Sequence, residues 1–415
     1  MAEVLASNLA FNSLLLVSCL AVGFALMRSR MLKSELWQAT LTPLSSIIGS
    51  GFLIMAPLLA SVVGIRSPFA ILGIVALAYA IGHVIRFNIL HVEPRIARGQ
   101  LSRHSQEIEY LSCIALVLAY VVAVAFYLSL LSDFLLHYLG ISNPNLERLL
   151  TTAIILFITG VGYAKGLGGL ERLESFSVTI QLAVIVSLII GLAIFNIDFL
   201  LGREIHFDYP KRDVSTQFRM LAGVLLIVQG FETSRFLGDK YSREIRISSM
   251  RNAQIISGIL YVVSVILLLP VVQQIDLMDI ELSEIINAMQ PVAVILPLML
   301  MVAALMSQFS AAVADLGGGG GLLRENSHHR LSTRMGYVSV SVCAILLVWA
   351  VDLFEIITLA SRAFATYYFL QTLLALIYSY KDCPPTARMT LINEILFICL
   401  ALILAYVIVF SIPAG

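Results

Sequence analysis

Apolar residues along this chain fall into long runs separated by short polar stretches. A helix needs about 20 apolar residues to cross the hydrocarbon core of a bilayer. By that measure twelve runs read as spans: 6–27, 37–64, 67–93, 104–139, 147–165, 173–199, 217–238, 252–273, 292–318, 334–352, 354–379 and 393–412. The longest connections are 200–216 and 274–291. In the second, Asp276, Asp279, Glu281 and Glu284 alternate with apolar neighbours. That spacing predicts a short amphipathic helix at the membrane surface. The pattern as a whole predicts an all-α polytopic membrane protein of 12 transmembrane helices, with no soluble domain inserted.

One span is interrupted in its middle. Ser45-Ser46-Ile47-Ile48-Gly49-Ser50-Gly51-Phe52 lies inside 37–64. Glycine costs roughly 1 kcal/mol in a helix interior relative to alanine, and it permits backbone that other residues resist. Opened backbone is tolerated at membrane depth only where protein or a water-filled cavity satisfies it. The stretch therefore reads either as an unwound helix centre or as a close helix–helix contact, where small residues are also common. Five spans later, 217–238 carries Val228-Gln229-Gly230-Phe231-Glu232-Thr233-Ser234, a second mid-membrane interruption. Five is odd, so the two spans run in opposite directions, as inverted repeats led by broken helices require. The expected division is an extra N-terminal helix in 1–36, a first five-helix repeat in 37–200, a second, inverted one in 201–380 and a C-terminal helix in 381–415.

Composition strengthens the membrane reading. Of 415 residues 59% are hydrophobic and 13% charged, and the mean hydropathy is +0.94. Formal net charge is zero, so nothing points to nucleic acid. Cys19, Cys113, Cys343, Cys383 and Cys399 form no CxxC pair and read as small hydrophobes. No Lys or Arg precedes the first run, so it reads as a retained helix and not as a secretory signal. With the N-terminus outside, the inner loops hold Arg28, Arg30, Lys33, Arg95, Arg98, Arg103, Lys165, Arg172, Lys240, Arg243, Arg246, Arg251, Arg324, Arg330, Arg334, Lys381 and Arg388. The outer loops hold only Arg66, Arg148, Arg203, Lys211, Arg212 and Arg219. That asymmetry obeys the positive-inside rule, and it places both termini outside, in a bacterial inner membrane.

Gly49-Ser50-Gly51-Phe52, together with Gly230-Phe231-Glu232 five spans on, resembles the amino acid–polyamine–organocation (APC) superfamily. The resemblance covers 37–379 and implies a LeuT-type five-plus-five inverted-repeat fold, here with one extra helix at each end. Two departures stand out. Span 6–27 precedes the first core helix, which looks more like sodium-coupled branches of that fold. Gln181 stands where proton-coupled members place a lysine. Metal-ion transporters of this fold carry an Asp-Pro-Gly break, which this chain lacks.

A broken helix exposes N–H groups on one side of the gap and C=O groups on the other, and the N–H end attracts anions. Freed N–H groups around Ser50, Gly51 and Phe52 suit a substrate carboxylate. The carbonyls of Ser46 and Ile47, and those near Gln229 and Gly230, suit an ammonium group. Gly49 and Gly51 let a ligand reach the backbone. Glu232 is an intramembrane carboxylate, a functional candidate by default; its bland alternative is an ion pair with Arg235. Ser307 and Ser310, three apart, share a helix face. By the resemblance they join the carbonyls of Ser45 and Ile48 in a sodium site, whereas the ordinary reading has each serine bonding its own helix. Asp315 and Arg86 fall near the same inner surface and suggest an inner gate or a static pair. Arg362 lies about 12 Å into its span at 1.5 Å per residue, with Asp133 as the nearest partner for an outer gate. Gly317 to Gly321 predict that the helix ends in a flexible turn. Among Tyr120, Phe126, Tyr127, Phe231, Tyr367 and Tyr368, Tyr120 and Phe231 are the first choices for pocket contacts.

No Walker motif, HExxH, Cys/His cluster or Gly-x-Ser-x-Gly elbow occurs, which argues against ATP-driven transport and against an enzyme. His328 and His329 fall in an inner loop. The expectation is a secondary transporter moving a small amino acid or related amine by alternating access, ion-coupled or exchanging. The alternatives are a cation channel or facilitator, or an inorganic-ion transporter on the same fold. The expected partners are a small-molecule substrate and the lipid bilayer. No resident cofactor is expected, with Na+ or H+ as the coupling ion, and the pattern sets no oligomeric state.

Overall fold

The computed structural model describes residues 9–28, 31, 33–49, 51–197, 209, 212–273, 275, 277, 282–327, 330–350, 353–382 and 391–412. Ser50, Asp276, Asp279, Glu281, His328, His329 and Cys383 lie outside them. Every regular element among the described residues is helical. In chain order these are α1 (Leu9–Leu26), α2 (Glu35–Ile47), α3 (Gly51–Val63), α4 (Ser67–Phe87), α5 (Glu93–Ala97), α6 (Arg103–Tyr138), α7 (Pro144–Lys165), α8 (Leu167–Phe195), α9 (Val214–Val224), α10 (Arg243–Val272), α11 (Leu282–Asn287), α12 (Leu296–Asn326), α13 (Thr333–Ala350), α14 (Leu353–Ile377) and α15 (Leu391–Phe410). Tight 3-10 turns at Leu225–Val228 and Phe231–Phe236 continue α9 across its break.

Local chemistry sets where the long helices begin. Ser34, Ser102, Asn143, Asp213 and Ser242 each accept a bond from a backbone N–H of the first turn of α2, α6, α7, α9 and α10, which satisfies a donor the helix itself cannot. Nine helices among the described residues are long and apolar enough to cross a membrane. Three expected spans fall outside that count. Spans 37–64 and 217–238 are the two interrupted ones, the second half of 37–64 being counted with 67–93 as one stretch, Ile54–Ala97, and 354–379 corresponds to α14. Burial grades the bundle from lipid to centre. Only 11% of the apolar window of α1 is buried, against 67% for α6. Leu9, Phe24 and Ile392 stand exposed on the outermost helices α1 and α15, as lipid-facing side chains should.

The glycine run overturns an expectation. Gly317 to Gly321 do not end a helix; α12 passes straight through them to Asn326. The reason is packing. A Cβ on Gly318 would lie 3.2 Å from the Tyr120 hydroxyl, one on Gly319 would lie 3.1 Å from Val340, and one on Gly320 would overlap the Tyr337 ring. A Cβ on Gly321 would meet the Phe236 carbonyl oxygen. The absent side chains let α6, α13 and the turn after the second break close onto α12, and that contact replaces the lost helix propensity.

Candidate functional site

The first break separates α2 from α3, with Ile48 and Gly49 forming a turn at its near edge. Three of its carbonyls are caught by side chains. The Tyr261 hydroxyl of α10 donates to the Ile47 carbonyl at 2.8 Å. The Gln181 amide of α8 donates to the Ile48 carbonyl at 3.1 Å. Ser307 of α12 donates to Ile48 at 3.2 Å and to Gly49 at 2.5 Å. Three helices thus satisfy backbone that the gap would otherwise strand in the membrane. On the far side, a Cβ on Gly51 would overlap the Ile227 side chain and lie 3.2 Å from the Tyr261 hydroxyl.

At the second break Gln229 is extended and Gly230 adopts φ +109°. That left-handed backbone favours glycine. The two breaks touch, because a Cβ on Gly230 would strike the Ser46 hydroxyl and lie 2.7 Å from the Ser46 carbonyl carbon. Ser46 in turn donates to Asp315 Oδ1 at 2.8 Å. Glu232 is completely buried. It accepts from the Gly230 N–H at 3.1 Å, from the Tyr368 hydroxyl at 2.5 Å and from the Tyr120 hydroxyl at 3.3 Å. Phe231 stacks on Tyr368 with ring centroids 5.2 Å apart and 18° between planes.

The predicted residues therefore converge, with some reassigned. Ser46, Ile47, Gly49, Gly51, Gly230, Phe231, Glu232 and Tyr120 surround one centre, and Ile48 and Ser307 are in contact within it. The Ser310 hydroxyl returns to its own helix, at the Ser307 carbonyl, as the ordinary reading of a membrane serine holds. The Ser45 hydroxyl does the same at Thr42, while the expectation for a sodium site concerns the Ser45 carbonyl. Glu232 does not pair with Arg235; that guanidinium binds Glu109 of α6 at 2.6 Å. The Arg86–Asp315 gate is not formed either. Arg86 lies over the Tyr79 ring and donates to Gln254, because its face of α4 meets α10, while Asp315 meets α2. Arg362 and Asp133 are both exposed, and no ion pair among the described residues joins them. Asp133 instead lines a cavity of about 380 Å³ with His137, Asn143 and Glu147.

Several residues went unread in the sequence. Glu174 of α8 is fully buried and accepts from Thr42 at 2.5 Å. Glu109 joins Arg235 to Gln371, whose amide donates to it at 2.9 Å. Both acids sit near the polar ends of their runs, where a carboxylate passes for a loop residue. The rule that flags an intramembrane acid would have found them.

A bundle this apolar, with buried acids converging where two interrupted helices meet, belongs to the class of multi-pass α-helical membrane proteins. Within that class the chain belongs to the APC superfamily: a family model described as an APC superfamily transporter matches residues 29–411. An uncharacterized protein of Aquifex aeolicus is 42% identical over 354 residues, covering 84% of this chain and 86% of that one. Among solved structures, three variants of a manganese transporter from Eremococcus coleocola share the fold at TM-scores of 0.55 to 0.57. They are 13% identical, and the match covers 90% of this chain and 87% of theirs. Family and fold neighbours are thus transporters.

Proposed function

We infer that this APC-family protein is a secondary carrier that moves a small amino acid or related amine by alternating access. One observation carries the reading. Gly230 of one break rests on Ser46 of the other, between Glu232 and Asp315, and no cationic side chain touches either acid among the described residues. Carboxylates at membrane depth are costly without matching positive charge. A cargo ammonium supplies that charge at Glu232 on arrival and removes it on release. The donors now on Ile47, Ile48 and Gly49 stand in for that ammonium and give way to it. The N–H groups from Ser50 to Phe52 take the carboxylate of an amino acid. The frame is a twelve-span LeuT-type bundle of two inverted repeats, 37–200 and 201–380, with both termini outside the inner membrane.

The test is a melting-temperature screen of the purified full chain with amines, amino acids, nucleobases and inorganic ions, since a ligand of the folded state raises that temperature. Counterflow in liposomes follows for any hit. The expected cargo carries an amine, and Glu232→Gln abolishes both responses. Binding confined to uncharged compounds would overturn the reading. A channel would conduct without saturation or counterflow.

A second reading takes an inorganic cation as cargo, and the likeness to a manganese transporter favours it. Among the described residues, no group of three or more His, Cys, Asp and Glu side chains is arranged to hold a metal ion. Stabilisation by Mn2+ with indifference to amines would turn the choice.

A further inference from the structure

Two buried carboxylates flank α2 at successive turns of its inner half. Ser46 bonds Asp315 of α12, and Thr42, four residues earlier, bonds Glu174 of α8. Each acid uses one oxygen this way. The other, Asp315 Oδ2 and Glu174 Oε1, is buried with no hydrogen-bond partner. The line continues outward. Glu171 lies one turn from Glu174 on α8, accepts from the Tyr241 hydroxyl at 2.7 Å and pairs with Lys240. Lys240 is 39% exposed, at the basic end of the bundle where α2 and α8 both begin. Hydrogen-bonded pairs of O–H groups and carboxylates thus stand at intervals from the helix breaks to solvent.

We propose that Glu171, Glu174, Thr42, Ser46 and Asp315 form a proton path between the basic end and the paired breaks, making the proton the coupling ion. This rests on the transport reading above. An ionised carboxylate with a bare oxygen inside a membrane is costly, and a bound proton removes the charge. A metal ion is the poorer occupant. Each acid offers one free oxygen, and the two are bonded to separate positions of α2. Side chains four apart on a helix have Cβ atoms about 5–6 Å apart, and the proposed path requires one water between the Thr42 and Ser46 hydroxyls. Each transfer breaks one O–H bond on the donor oxygen and forms one on the acceptor. The net result is that a solvent proton converts the Asp315 carboxylate to the acid. Other groups face these acids. Glu174 has Glu171, Lys240, Tyr241, Tyr337 and Asp315 within electrostatic reach. Asp315 has Glu174, Glu232, Tyr120 and Tyr127. Lys240 is the one cation in either set, and it is bonded to Glu171.

Infrared difference spectroscopy of the full chain in liposomes tests this without a cargo. Asp315→Asn and Glu174→Gln should each delete one component of the protonated-carboxyl band. After a jump into heavy water, the remaining Asp315 component should exchange about 100-fold more slowly in Glu174→Gln than in the native chain, the scale of losing one positioned proton-transfer group. Thr42→Val and Glu171→Gln should slow it in the same direction, and they carry the test if Glu174→Gln does not fold. Exchange at the native rate in all folded variants, or a band unchanged by both acid substitutions, overturns the path. A cargo that binds and counterflows while exchange is unaffected removes the path and leaves the transport reading standing. Slowed exchange in a protein that binds no cargo does the reverse.

Discussion

Two glycine-rich places in this bundle behave in opposite ways. Gly49 and Gly51, two glycines spaced by one residue, bracket a helix that stops. Gly317 to Gly321, five in succession, lie in a helix that continues. Propensity alone predicts the reverse, since five glycines cost far more than two. The difference lies in what surrounds each. At the first break Tyr261, Gln181 and Ser307 arrive as donors and take the stranded carbonyls. Along the run, Tyr120, Tyr337 and Phe236 arrive as bulk and fill the space left by missing side chains. Polar partners stabilise an opened backbone, and close packing stabilises a closed one.

Substitution can break that comparison, and the largest effect is expected at the second break. Gly230→Ala puts a Cβ against Ser46 and forces alanine into a left-handed backbone, strain that alone costs about 1–3 kcal/mol. Transport should be lost, as measured by counterflow in liposomes; native flux would show that the two breaks need not touch. Gly336→Ala comes next. Its Cβ would lie 2.7 Å from the Gly320 carbonyl oxygen and 2.8 Å from the Gly320 Cα, backbone that cannot swing aside. Overpacking of this kind costs about 1–3 kcal/mol, read as a lower melting temperature in detergent.

Tyr261→Phe should cost about 1–3 kcal/mol by leaving the Ile47 carbonyl buried and unpaired. An unchanged melting temperature would mean that another donor takes its place. Gly317→Ala should act in the opposite direction. Its nearest neighbours, Leu170 and Leu167, stand 3.7 and 3.9 Å from the added Cβ, so alanine fits and gains roughly 0.5–1 kcal/mol of helix stability. A melting temperature that falls instead would mean the run is kept flexible for function.

The smallest effect lies outside the span region, at Asp213. Its bonds to the Thr216 hydroxyl and N–H hold its carboxyl below the usual carboxylate range. A depressed folded value stabilises above the unfolded value of about 3.9 and is lost as pH falls through the folded one. Asp213→Ala should therefore lower the melting temperature slightly at neutral pH, with the difference shrinking in acid.

Much of this arrangement could be read before any coordinates. The interruption at Gly49 and Gly51 and its counterpart at Gly230 were visible because glycine and polar residues are conspicuous in an apolar run. Glu232 and Tyr120 were legible as candidates for the same reason. Their contact was not, because they are 112 residues apart in the chain. Arg86 and Asp315 were mispaired by reasoning from depth alone. Depth follows from counting along a span, but the direction a side chain faces depends on which helix packs beside it. Glu109 and Glu174 were passed over because a run's polar end looks like a loop until a neighbouring helix covers it.

Hydrophobic runs, helix starts and the asymmetry of basic loops are local properties of the chain. They establish a polytopic helical membrane protein with two weak points in its helices. Which groups meet at those points depends on helices far apart in sequence. The capture of Ile47, Ile48 and Gly49 by three side chains, the seat of Gly230 on Ser46 and the two acids against α2 arise only when α2, α8, α10 and α12 pack. Apolar transfer is nearly indifferent to partner, so its pattern is written along the chain. A buried hydrogen bond needs a particular donor at a particular distance, and only tertiary structure supplies that.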